Sequence, residues 1–148
     1  MKYMNVETEV LLVDDNPGDA ELTADLLRRS GPGIHTHCVS DGVEAMAFLH
    51  REGKHSEAPR PHLILLDLNM PSKDGWAVLV EVKSDIALET IPVVVFSTSQ
   101  ARTDIARCYK LGANCYVTKP TNLDGFKSTV AGISHYWFGL ANLMRGGG

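Results

Sequence analysis

The chain has 148 residues, 44% of them hydrophobic and 22% charged, the mix of a soluble globular protein with enough length for one core-forming domain. A formal charge of -4 argues against a general nucleic-acid binder, and no leader pattern or apolar run of the roughly 20 residues needed to span a bilayer is present. The three cysteines, Cys38, Cys108 and Cys115, lack Cys-x-x-Cys spacing, which suits packed, reduced thiols and a cytoplasmic location.

Taken in chain order, short apolar runs alternate with helical patterns. The first predicted strand, 10–13, is followed after Pro17 by a helix whose apolar positions are Ala20, Leu22, Ala24, Leu26 and Leu27. Gly31-Pro32-Gly33 stops it. A strand is predicted at 34–39, then a helix from Ser40-Asp41 that uses Val43, Ala45, Met46, Phe48 and Leu49, then a polar surface loop at 51–60. The third strand, 63–66, precedes a helix starting near Gly75 with Trp76, Val78, Leu79 and Val82. Pro92 opens a strand at 93–96. The next helix, 101–111, places Ile105, Cys108 and Tyr109 on one face and ends at Gly112, where a left-handed cap belongs. The last strand, 114–118, leads to a helix from Thr121-Asn122 with a stripe of Leu123, Phe126, Val130, Ile133 and Trp137. Alternation of this kind predicts an α/β fold, a parallel sheet with helices on both faces and all strand C-termini at one edge. One domain is expected over 1–148, with a core at about 9–137 and a tail at 138–148.

That edge collects chemistry. Asp67 ends the buried run Leu63-Ile64-Leu65-Leu66, Asp14-Asp15 end the first strand, and Lys119-Pro120 follow Val117-Thr118. Adjacent carboxylates call for a cation, and Mg²⁺ accepts two or three protein oxygens while keeping several waters. The competing reading of Asp14-Asp15 is a pair of solvated acids capping the first helix. Asp67 alone fits a metal ligand, a catalytic base or a nucleophile. Lys119 would neutralise the cluster or contact a phosphoryl oxygen, and Pro120 directly after it suggests an unusual turn, with a cis bond as one form. Ser97, directly after Val93-Val94-Val95-Phe96, is assigned a phosphoryl contact, while Thr98 or Ser99 suits capping of the next helix.

The segments Val13-Asp14-Asp15, Leu66-Asp67-Leu68-Asn69-Met70-Pro71, Asp74-Gly75, Phe96-Ser97-Thr98 and Val117-Thr118-Lys119-Pro120 together resemble the receiver domain of two-component response regulators, over about residues 9–137. The resemblance implies a flavodoxin-like, doubly wound (βα)5 fold with strand order 2-1-3-4-5. It implies that Asp67 accepts a phosphoryl group from a histidine kinase, and that Asp15, Asp67 and the backbone carbonyl of Asn69 hold Mg²⁺, with Asp14 acting through water. Lys119 would pair with the phosphoryl group, and Ser97 and Tyr116 would form the switch. It further implies a homodimer through helix 4, strand 5 and helix 5. Asp15-Asn16-Pro17-Gly18-Asp19, the insert at 51–60 and Lys119-Pro120-Thr121-Asn122 are similar to the small response regulators paired with cyanobacterial phytochromes, which implies a phytochrome-type kinase as partner.

Two competing functions are disfavoured. A phosphatase with an aspartyl nucleophile usually wants a second acid two residues on, where Asn69 stands. A nucleotide- or flavin-binding domain would show a glycine-rich loop after strand one, where Asp14-Asp15 would repel phosphates. His35 and His37 share one strand face and are read as half-exposed rather than metal-binding; His50, His55 and His62 are read as solvated. In His135-Tyr136-Trp137-Phe138, Trp137 continues the buried stripe. Tyr136 and Phe138 are expected to extend the dimer face, against the alternative of packing on their own domain.

Overall fold

The structure, a computed structural model, describes residues 6–70 and 74–145. Pro71 of the predicted motif and the terminal glycines 146–148 lie outside them. Five strands form one parallel sheet in the order β2-β1-β3-β4-β5: β1 Thr8–Val13, β2 Ile34–Val39, β3 Leu63–Leu66, β4 Val93–Ser97 and β5 Cys115–Thr118. Each is followed by a helix: α1 Pro17–Arg29, α2 Gly42–His50, α3 Gly75–Ser84, α4 Arg102–Lys110 and α5 Leu123–Ser134. A π-helical segment, His135–Leu140, continues from α5. The central strands are buried on both faces because helices cover both. Leu11, Val13, Ile64, Leu66, Val93 and Val95 pack toward α2, α3 and α4. Val10, Leu12, Leu63, Leu65, Val94 and Phe96 face α1 and α5.

Helix starts follow local chemistry. Asn16, Asp41, Asp74 and Asn122 accept from the backbone N–H three residues on, at 3.0, 2.9, 3.0 and 2.6 Å, meeting donors that a helix N-terminus leaves unpaired. Gly112 has φ 104°, the left-handed turn expected of it. The Lys119-Pro120 bond is trans; the continuing ladder bond from Lys119 N–H to the Ser97 carbonyl (2.8 Å) sets the turn instead.

Several side chains depart from expectation. Leu123 is 56% exposed, because it sits in the first turn of α5 above the point where the stripe meets the sheet. Tyr109 and Val43 are exposed too, as is Cys38 on the edge strand. His55 is largely buried and bonds Glu44 (2.9 Å), and His62 accepts from the Glu9 N–H at 2.9 Å. His35 and His37 are half-exposed, in line with expectation, and pair with Glu7 and Glu9. Phe138 packs, partly buried, against the α1–α5 core beside Trp137. Beyond it Leu143 is buried, and Arg145 donates to the Glu7 carbonyl (2.8 Å) and to Thr8 Oγ1 (3.0 Å), so this stretch folds back onto β1.

Candidate functional site

The sheet register builds the site. Val13 aligns with Leu66 and Leu66 with Val95, so Asp14 and Asp67 occupy one row, a residue past the last apolar rung. Backbone bonds carry the ladder through both: Asp14 N–H to the Val39 carbonyl (3.1 Å) and Asp67 N–H to the Val13 carbonyl (2.9 Å). Their side chains therefore leave the sheet in defined directions. An oxygen each from Asp14, Asp15 and Asp67 lie within 4.8 Å of one another. Asp15 is exposed, Asp14 and Asp67 partly buried.

Lys119 closes the cluster. Its side chain is buried and its Nζ lies 2.7 Å from Asp14 Oδ2, 3.1 Å from Asp19 Oδ2 and 3.5 Å from Asp67 Oδ2. Burial alone would lower the ammonium's pKa; the bond and charge of Asp14, then the charge of Asp67 and the bond to Asp19, outweigh it and raise it. Asp67 moves upward as well, chiefly because burial penalises its carboxylate, with Lys119 opposing. Asp67 Oδ1 accepts from the Leu68 N–H (2.8 Å). Its Oδ2 meets Lys119 only at 3.5 Å, so the Asp67 carboxylate is the less firmly held of the two.

Asp19 is the residue that sequence reasoning missed here. It stands in the first turn of α1, where an acid is ordinary, and nothing local shows that it reaches Lys119. Gly75 is a second. A Cβ there would lie 2.1 Å from the Asp67 carbonyl oxygen, so the start of α3 presses directly on the backbone that carries Asp67. The Gly75 N–H bonds the Leu68 carbonyl at 2.8 Å, fixing that approach.

Ser97 is fully buried at the end of β4, and its Oγ accepts from the Ser99 N–H (3.3 Å). Ser99, not Thr98, serves the α4 start: its Oγ accepts from the Ala101 N–H (3.3 Å) and donates to Asp104 (2.6 Å). The Tyr116 hydroxyl donates to the Ser99 carbonyl (2.8 Å), tying β5 to the β4–α4 loop, and burial raises its pKa. Asn69 is exposed two residues after Asp67. Burial pushes the Cys108 thiol up to about 11 and raises that of Cys115, which leaves these two cysteines poor nucleophiles.

Three carboxylates with hard oxygen donors fit a small divalent cation, and the neighbouring ammonium fits an anion placed among them. The response regulator receiver domain family matches residues 10–131, and the chain belongs to that family. It is a signalling domain of the two-component type, related to phytochrome response regulators. It is 42% identical to the response regulator Rcp1 of Synechocystis sp. over 90% of this chain and 91% of that one. Its fold matches the crystal structure of the phosphorylated cyanobacterial phytochrome response regulator RcpA (TM-score 0.91, 46% identity, 95% of this chain and 100% of that). It also matches the Mn²⁺-bound form of Rcp1 (TM-score 0.89, 41% identity, 93% and 99%). The phosphatase alternative finds no support in these comparisons.

Proposed function

We propose that this protein is a stand-alone response regulator that accepts a phosphoryl group on Asp67 from a histidine kinase of the phytochrome type. The observation that carries the reading is the convergence of Asp14, Asp15 and Asp67 within 4.8 Å of one another, with Lys119 Nζ among them. Phosphoryl transfer asks mainly for positioning and charge neutralisation. An Asp67 oxygen attacks phosphorus, the bond from phosphorus to the donor imidazole nitrogen breaks, and an acyl phosphate results. Lys119 exchanges part of its contact with Asp14 for a phosphoryl oxygen, and the Ser97 hydroxyl donates to another. Asp15, Asp67 and the Asn69 carbonyl would hold Mg²⁺, with Asp14 reaching it through water; when bound, the ion neutralises charge on the transferring group.

The added charge, about 1.5 to 2 units, biases a two-state element made of the β4–α4 loop and Tyr116, whose bond to the Ser99 carbonyl is the contact to be exchanged. Output then passes through protein contacts in the cytoplasm, without nucleic acid or membrane, from one domain spanning 1–148 with its core at about 9–137. A homodimer through α4, β5 and α5 is part of this reading, extended by the aromatic segment after α5, where Tyr136 is 51% exposed. Sedimentation velocity on a Leu123→Glu, Tyr136→Glu double variant tests it: a loss of dimer mass is expected, and an unchanged mass removes that surface from the account. Phosphotransfer from a panel of purified kinases tests the partner. Transfer fastest from a phytochrome kinase is expected, and preference for an unrelated kinase overturns the pairing.

A further inference from the structure

Helix α1 turns Ala20, Thr23, Ala24 and Leu27 toward the sheet, an apolar stripe with one hydroxyl in it. Thr23 is 2% exposed. A valine would occupy the same volume without a polar atom to satisfy. A helical threonine usually settles its hydroxyl on the carbonyl three or four residues back. Here Thr23 Oγ1 is buried and has no hydrogen-bond partner among the described residues. Buried polar groups without a partner are rare enough to need an explanation.

Thr23 also lines a cavity of about 10 Å³ together with Asp14, Asp67, Leu12, Leu65 and Phe96. That volume is close to the least that holds one water. Apolar cavities of this kind stay dry, whereas a water that finds two to four polar partners is stable. Thr23, which carries the unpartnered hydroxyl, shares this cavity's lining with Asp14 and Asp67. We propose that the cavity is the binding site of a single buried water, which bonds Thr23 Oγ1 and donates to the inner side of the Asp14 and Asp67 carboxylates. Thr23 is then a positioning residue. Asp14 is held by Asn16 N–H (2.9 Å) and Lys119 (2.7 Å), Asp67 by Leu68 N–H (2.8 Å). The water supplies the inner contact that keeps their remaining lone pairs turned to the cation and phosphoryl positions.

The proposal concerns the architecture under the site and rests on the reading of Asp67 only for its second test. Thr23→Val and Thr23→Ser separate the outcomes by sign. Removing a hydroxyl that has no partner stabilises the protein; removing one that holds a water destabilises it. We expect Thr23→Val to lower Tm by a few degrees and Thr23→Ser to stay near wild type. Mg²⁺ affinity, followed by tryptophan fluorescence with the metal alone, should fall roughly 10-fold in Thr23→Val, as is typical when a partner of a ligand is lost. A crystal structure of the wild-type protein should show an ordered water within hydrogen-bond distance of Thr23 Oγ1; this holds the proposal open to test even if the valine variant does not fold. An unchanged or higher Tm with unchanged Mg²⁺ affinity, or a crystal structure with no density in the cavity, overturns it. The water and the Tm shift are independent of phosphorylation, so failure of the phosphoacceptor assignment would leave them standing.

Discussion

Lys119 Nζ and Asp14 Oδ2 meet at 2.7 Å although 105 residues separate them, and this buried pair ties the first strand of the chain to the last. Both side chains are nearly inaccessible, at 3% and 9%. Truncating one partner of such a pair leaves the other charge uncompensated. Lys119→Ala leaves Asp14, Asp15, Asp19 and Asp67 facing one another. The expected loss is about 3–5 kcal/mol in metal-free urea denaturation. Adding Mg²⁺ should recover part of it, because the ion binds the folded state alone. A loss that Mg²⁺ leaves untouched would mean the cluster is not a cation site.

Two glycines give opposite expectations for one substitution. Gly75→Ala forces a methyl group to within 2.1 Å of the Asp67 carbonyl oxygen, and the backbone carrying Asp67 has to move. A cost of more than about 2 kcal/mol is expected from overpacking against backbone, with slower phosphorylation. Gly132→Ala lies in α5 with nothing within 4 Å of the new Cβ, so helix propensity governs and a gain of about 0.5–1 kcal/mol is expected. Chemical denaturation of the two variants side by side checks both.

Tyr116→Phe removes the hydroxyl that holds the Ser99 carbonyl and should cost about 1 kcal/mol. Its larger effect is expected on the switch. The resting contact is gone, so spectral differences between unphosphorylated and phosphorylated protein around Ser99 and Asp104 should shrink in NMR. Undiminished differences would place the switch elsewhere.

Two histidines, His35 and His62, should titrate on opposite sides of their ordinary value. His35 is raised, first through its bond to Glu7, and His62 is lowered, first by burial. A raised imidazole stabilises fully below its unfolded pKa, and that help is lost as pH rises through the folded value. A lowered one stabilises above the unfolded pKa, and its help is lost as pH falls through the folded value. His62 must stay neutral at Nδ1 to accept from Glu9. Stability should therefore drop below about pH 6.5, and His62→Gln should flatten that limb. NMR midpoints in the reverse order would contradict the assigned contacts.

Much of this architecture is legible in the sequence. The runs at 34–39 and 63–66 carry strand boundaries that the structure keeps unchanged, because Gly31-Pro32-Gly33 and the charged end at Asp67 punctuate them. Asp14, Asp67 and Lys119 follow as neighbours once the strands are parallel. What stays hidden is anything set by long-range packing. Asp19 reads as a first-turn acid, Thr23 as one polar residue in a stripe, and Leu123 as the start of a core face it does not join. Glu7 and Glu9 find His35 and His37 only once β1 and β2 pair in register.

The central claim is that Asp67 is the phosphoacceptor. Intact-mass spectrometry after incubation with Mg²⁺ and acetyl phosphate tests it most directly. The wild-type chain should gain one acid-labile phosphoryl group, localised to Asp67, while Asp67→Asn gains none. Equal phosphorylation of the Asn variant, or a phosphoryl group localised to any other residue, would contradict the account.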